Sequence, residues 1–202
     1  MPELISTRNA DRSRTAILQA AEELFALHGP NGVSLAEIGE RAGVSRGLPS
    51  YFFTDKETLY QTVLEQAAAD LRSALAEVME ASQDSPPFEV LAKLTDCYMD
   101  YLAAHPGIVR LLQWNALGST AKNGAAWASR IPERLFDEVL ESLSKRMVSK
   151  ARNGVVVYDI LLSVVSVCLY PFQIRRFDPG EIQRRKKHIR TLVSMLSRTE
   201  DE

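Results

Sequence analysis

Residues 34–53 read SLAEIGERAGVSRGLPSYFF, and their order decides the architecture. Ser34 stands three residues before Glu37, the spacing of a capping box: the serine oxygen accepts from the Glu37 amide while the glutamate side chain reaches back to the start of the helix. A short helix follows and stops near Arg41 or Ala42, because Gly43 supplies the left-handed backbone that a sharp turn between two helices requires. Val44 then faces inward and Ser45 caps the next helix. Pro49 falls in the first turn of that helix, where a missing amide costs little. Cap, short helix, Ala-Gly turn, apolar residue, cap and second helix together have the layout of a helix-turn-helix.

Working outward, the segment before this motif reads as a helix from about Asp11 to Leu27, with Ala16, Ile17, Ala20, Ala21, Leu24 and Phe25 at three-and-four spacing. Gly29, Pro30, Asn31 and Gly32 end it. After the motif, Thr54 and Asp55 are both competent caps. The pattern Leu59, Val63, Ala67, Leu71, Ala74, Val78 then predicts one long helix to about Glu80, with no flexible linker.

Ser85-Pro86-Pro87 places a cap and a proline before a fifth helix, Phe88 to Ala104, and Pro106 opens a sixth to about Asn115. Gly118 to Gly124 reads as a loop. A seventh helix is expected over 125–150, kinked or restarted at Pro132, and an eighth over 155–170 after Asn153-Gly154. Asp178-Pro179 starts a ninth, with Ile182, Ile189, Leu192, Val193 and Leu196 turned inward. No period-two strand, low-complexity tract or internal repeat interrupts the series. The expectation is an all-α chain of about nine helices: a three-helix helix-turn-helix domain over 1–54 and a helical domain over 55–202.

Composition is that of a folded globular chain, with 46% hydrophobic and 25% charged residues and a net charge of -2. Charge does not advertise a nucleic-acid partner, since residues 1–60 hold six Lys/Arg against eight Asp/Glu. Cys97 and Cys168 belong to no CxxC or Cys/His cluster and read as reduced core thiols. The N-terminus, MPELISTRNADRSR, has no continuous apolar stretch of the kind a signal peptide needs, so a cytoplasmic location is expected. Residues 155–174, VVVYDILLSVVSVCLYPFQI, have the length of a membrane span but are interrupted by Asp159, Ser163, Ser166, Pro171 and Gln173, and read as a doubly buried helix. The basic run Arg184-Arg185-Lys186-Lys187 reads as a solvated helix face.

Three stretches, ILQAAEELFALHG (17–29), SLAEIGERAGVSRG (34–47) and YFFTDKETLY (51–60), follow one another at the spacing of the TetR family of transcriptional regulators, which the chain resembles over residues 12–64. The resemblance implies a ligand-responsive regulator, most simply a repressor, that binds double-stranded palindromic operator DNA as a homodimer and is released by a small-molecule inducer. A short helix of this kind enters a major groove about 12 Å wide while the preceding helix crosses the backbone.

Carried over residue by residue, the match puts Arg46, Gly47, Ser50 and Phe52 at base edges and Ser34, Ser45, Tyr51 and Lys56 at phosphates. Arg46 is the leading sequence reader, because its planar fork bonds guanine O6 and N7 together. Gly47 serves either close approach of the DNA or the backbone itself; Tyr51 fits a phosphate contact or the core; Phe53 belongs to the core. Arg8, Arg12 and Arg14 stand where a mobile arm would reach the DNA. Pro49 and Ser50 occupy positions where many members carry an aliphatic residue and a tyrosine.

The resemblance further implies a homodimer through the last two helices and an effector pocket among the middle ones. Tyr98, Tyr101, Trp114 and Trp127 are its aromatic candidates, and they suit an apolar or aromatic ligand. An enzyme reading finds no support: His28, His105 and His188 are isolated, and HExxH, GxSxG and Gly-rich phosphate loops are lacking, so no metal or cofactor is expected. The remaining alternative is a helical dimer whose acidic headpiece does not bind DNA.

Overall fold

A computed structural model describes residues 2–119 and 179–198, with Arg134, Asp137, Glu138 and Glu141. Among the described residues there are seven α-helices and no strand: α1 Pro2–His28, α2 Leu35–Arg41, α3 Leu48–Phe53, α4 Lys56–Ala81, α5 Pro87–Ala104, α6 Pro106–Ser119 and α7 Pro179–Arg198. Arg134, Asp137, Glu138 and Glu141 are helical within the helix expected over 125–150; the rest of that stretch and the helix expected over 155–170, with Trp127 and Cys168, lie outside the described residues.

Most boundaries follow from local chemistry. Gly29, at φ 72°, ends α1, and Pro30–Gly32 adds one 3₁₀ turn before α2. Asp55 caps α4, its Oδ1 accepting from the Thr58 amide at 2.7 Å, so its carboxyl is held below the usual range. Four expectations need correction. α1 begins at Pro2 rather than near Asp11, because no breaker follows Pro2, a residue tolerated in a first helical turn. α6 runs through Gly118 to Ser119 rather than stopping near Asn115; Gly118 is buried, and packing outweighs the roughly 1 kcal/mol that a glycine costs inside a helix. Neither Ser45 nor Ser85 caps a helix: α3 has Gly47 at its cap and α5 has Pro86, both without a side-chain bond.

The chain packs as two compact units. Among the described residues the first holds 2–67 and 110–119, and the second holds 68–109 and 179–198 with Arg134, Asp137, Glu138 and Glu141. α4 is one uninterrupted helix from Lys56 to Ala81 and contributes to both.

In the first unit Ile17, Ala20, Ala21 and Phe25 of α1 are buried with Ile38, Phe53, Leu59, Tyr60 and Leu111. Tyr60 meets Phe25 edge-on at 5.3 Å and donates its hydroxyl to the Leu111 carbonyl at 2.9 Å, which satisfies the one polar atom of a fully buried ring. Burial pushes that phenol's pKa up.

The second unit buries Leu71 and Leu75 of α4, and Val90, Leu91, Leu94, Met99 and Leu102 of α5, together with Ile189 of α7. On α4 the buried stripe takes in Leu64, Ala68 and Leu75; Ala68 and Leu75 each stand one position past the half-buried Ala67 and Ala74, and Val78 is half-buried too. The basic run on α7 is not a uniformly solvated face. Lys186 is buried, because it lies four residues after Ile182 and three before Ile189 and so turns with them toward α5, where Asp100 pairs with its ammonium. One turn on, Arg190 pairs with Asp96. Half-buried Cys97 sits between these two acids in sequence, and desolvation raises its thiol pKa, in keeping with an unreactive thiol.

Candidate nucleic-acid interface

The α2–turn–α3 segment is assembled by short-range hydrogen bonds. Ser34 Oγ accepts from the Glu37 amide at 3.3 Å, and Glu37 Oε2 accepts from both the Ser34 amide and its hydroxyl at 2.7 Å, so the capping box is complete. The Ser34 bonds, with minor help from His28 and Lys56, hold the Glu37 carboxyl below its ordinary range. At the other end Gly43 adopts φ 69°, and the Val44 amide returns to the Gly39 carbonyl at 3.0 Å. The Leu48 amide then bonds the Ser45 carbonyl at 3.0 Å, turning the chain into α3.

Three glycines stand here for three different reasons. Gly43 has open space around it and is demanded by its positive φ. Gly39, in α2, is demanded by space: a Cβ there would lie 3.0 Å from the Ser45 carbonyl oxygen and 3.2 Å from the Arg46 Cα. Gly47 has an ordinary φ of -86° and nothing within 4 Å, so no internal contact requires it. The need for Gly39 escaped sequence reasoning, because an isolated helical glycine announces no neighbour.

Ser34, Ser45, Arg46, Gly47 and Ser50 are exposed, and Tyr51 is 80% exposed, which removes the core alternative for that residue. Phe52 is half-buried beside Tyr51, with ring centroids 5.5 Å apart, and Phe53 is buried as expected. Pro49 is also buried, so α3 anchors through Pro49 and Phe53 and presents Ser50 and Tyr51 outward. Lys56, in the first turn of α4, is half-buried.

Arg12 and Arg14 are exposed, but they sit on helix α1 and not on an extended arm; Arg14 lies over the Phe53 ring at 5.2 Å. Arg41 binds Glu23 through Nε and Nη2, at 2.9 and 2.5 Å, tying α2 to α1. Arg46 pairs with Glu40, a partner that sequence reasoning did not assign. Between α3 and α4, Thr54 holds φ 62°, ψ -59°, and the Asp55 amide reaches the Phe53 carbonyl at 2.6 Å, a strained γ-turn joining the two helices.

The aromatic candidates for an effector fall in both units. Tyr98 and Tyr101 are half-buried on α5 in the second, Tyr101 lying 4.4 Å from the His105 ring. Trp114 belongs to the first, where its indole covers Gly29 so closely that a Cβ there would lie 2.9 Å from it. Among the described residues no group of three or more His, Cys, Asp and Glu is placed to hold a metal ion, and no helix is long and apolar enough to cross a membrane.

Residues 17–63 match the family model described as bacterial regulatory proteins, tetR family. The HTH-type transcriptional repressor AcnR of Corynebacterium diphtheriae is 32% identical over 181 residues, spanning 88% of this chain and 88% of that protein. The HTH-type transcriptional repressor NicS of Pseudomonas putida is 32% identical over 108 residues, a stretch covering 54% of this chain and half, 50%, of that protein. Among solved structures, the TetR-family regulator PfmR of Thermus thermophilus superposes with a TM-score of 0.66 at 20% identity, over 88% of this chain and 96% of that one, a likeness of fold.

Proposed function

The chain belongs to the tetR family of bacterial regulatory proteins, and we propose that it is a ligand-responsive transcriptional repressor that binds a palindromic operator as a homodimer. It is a regulator and not an enzyme. Residues 1–54 form the DNA-binding domain in this reading, and 55–202 the effector-binding and dimerisation domain.

The observation that carries the reading is the surface of α3: Pro49 and Phe53 fasten it to the headpiece while Arg46, Gly47, Ser50 and Tyr51 are exposed together along the turn and helix. Arg46 then reads a guanine edge, with Ser50 and Phe52 beside it. Gly47, which the fold itself does not need, lets the duplex approach closely. Ser45, Tyr51 and Lys56 hold phosphates. Ser34 does so only by releasing its hydroxyl from Glu37.

A homodimer through the last two helices presents two such surfaces to successive major grooves about 34 Å apart. An apolar or aromatic effector engaging Tyr98 and Tyr101 of α5 favours a state in which that spacing is lost. DNA and effector then weaken each other's binding by the same factor.

Selection of duplexes from a random-sequence pool, followed by fluorescence-anisotropy titration of the best one, tests the reading. Native protein should enrich a palindromic sequence, and Arg46→Ala should weaken its binding by about 1–3 kcal/mol while relaxing the preference at one position of each half-site. Failure to enrich any sequence would remove the DNA-binding reading.

A further inference from the structure

We infer that Glu40 is a specificity-determining residue of this interface, a carboxylate that positions Arg46 for base edges and discounts its attraction to phosphate; the inference rests on the DNA-binding reading above. Arg46 Nη2 donates to Glu40 Oε1 across six residues of chain. That spacing is not the i, i+4 pairing of a helix surface, and the contact exists only because the turn folds Arg46 back onto α2. Its backbone is seated there by Gly39, the residue next to Glu40, whose missing Cβ leaves room for the Arg46 Cα. Backbone and side chain of the proposed reader are therefore each held by one of two adjacent α2 residues.

The pair lies on the outside of the headpiece, with the arginine side chain 75% exposed and the glutamate 51%. An ion pair so exposed contributes at most about 1 kcal/mol to folding, so its consequence lies in direction and charge rather than in stability. A guanidinium carries five donors in a rigid plane, and with Nη2 turned to Glu40 the rest of the fork is presented to solvent in a defined orientation. The neighbouring pair differs: Arg41 spends both Nε and Nη2 on Glu23 of α1 and fastens two helices of the unit.

The chemistry of the two DNA targets makes Glu40 selective. Guanine N7 and O6 are neutral acceptors, and Arg46 can meet them while a carboxylate remains at its other edge. A phosphate is an anion: contact with it by Arg46 either displaces Glu40 or brings two negative groups together. Because non-specific affinity comes from neutralising phosphates, the carboxylate penalises binding to arbitrary sequence more than binding to the operator. The excess of acids in residues 1–60, eight against six bases, is consistent with a reader whose attraction to bulk DNA is held down.

The test uses the full-length chain as native protein, Glu40→Gln, Arg46→Ala and the double variant. Each is titrated by anisotropy against the best selected duplex and against a random-sequence duplex pool over a range of salt. Glu40→Gln should tighten pool binding by about threefold and steepen the slope of log K against log salt by about 0.9, the yield of one additional phosphate contact. The gain on the selected duplex should be smaller, so discrimination falls, and in the Arg46→Ala background that fall should vanish. Unchanged pool affinity and slope, equal gains on both DNAs, or a loss of discrimination that persists without Arg46 would each overturn the role of Glu40. A native protein that selects no sequence takes down the DNA-binding reading, and this inference with it; selection with an inert Glu40 takes down the inference alone.

Discussion

The helix-turn-helix and the α5–α7 pair use the same two chemistries, arginine or lysine against a carboxylate, in opposite settings. At the headpiece surface Arg46 and Glu40 are 75% and 51% exposed, so breaking the pair costs the fold little. Between α5 and α7 one member of each pair is withdrawn from water, the Lys186 side chain at 8% exposure and Asp96 at 15%, while their partners Asp100 and Arg190 remain 63% and 61% exposed. Asp96 even keeps one carboxylate oxygen, Oδ1, buried without a hydrogen-bond partner, a cost that the surface pairs avoid. The lesson is a division of labour. Where the chain meets a proposed ligand both members of the ion pair stay exposed, and the close approach at Gly39 sets where the Arg46 backbone stands; where two helices pack, one charge of each pair is buried and committed to its partner.

The largest expected effect tests the committed side. Asp100→Ala strands a buried ammonium and should destabilise the protein by about 2 kcal/mol in urea titrations, whereas Lys186→Met, which removes the buried charge and leaves an exposed acid, should be nearly neutral. Equal losses from both variants would mean that Lys186 is solvated and that the contrast between the regions is false.

The next effect concerns the backbone contacts. Gly39→Ala should cost about 1–2 kcal/mol, because the new methyl meets main-chain atoms of Ser45 and Arg46 and the α2–turn contact must open. Gly47→Ala, with open space around it, should change stability by less than about 0.5 kcal/mol yet weaken operator binding. Thermal melts and anisotropy on the two variants separate them, and a stability loss at Gly47 matching that at Gly39 would break the assignment.

The smallest effect is a pH dependence at the joint between α3 and α4. The Thr58 amide, bonded to the Asp55 carboxylate, lowers its folded pKa below the unfolded value. This contribution is therefore present above the unfolded pKa and is lost as pH falls through the folded one. Asp55→Asn keeps a competent cap without the titration, so its melting temperature should match the native at neutral pH and decline less on acidification. Parallel declines would show that Asp55 carries none of the acid sensitivity.

Much of this was legible in the order of residues, because it is governed by bonds within four or five positions: the Ser34/Glu37 box, the left-handed turn at Gly43, the span of α4, and Pro49 in the first turn of α3. Such rules act on neighbours in the chain and need no knowledge of what packs outside. The same rules misjudged Ser45, an eligible cap that lies in a turn before Gly47, and left Tyr51 undecided between core and surface, since an aromatic residue next to two phenylalanines has no local mark of its face.

The three-dimensional contacts supplied the rest. Gly39 is required by an approach between α2 and the following turn, Trp114 covers Gly29 from a helix far along the chain, and Arg190 finds Asp96 across 94 residues. Lys186 is the plainest case. Its spacing from Ile182 and Ile189 puts Lys186 on the inward face of its helix, but the acid that meets it there, Asp100, is chosen only when that helix is laid against α5. Local hydrogen bonding sets where helices begin and end; burial and charge pairing belong to pairs of segments, and only folding chooses the pairs.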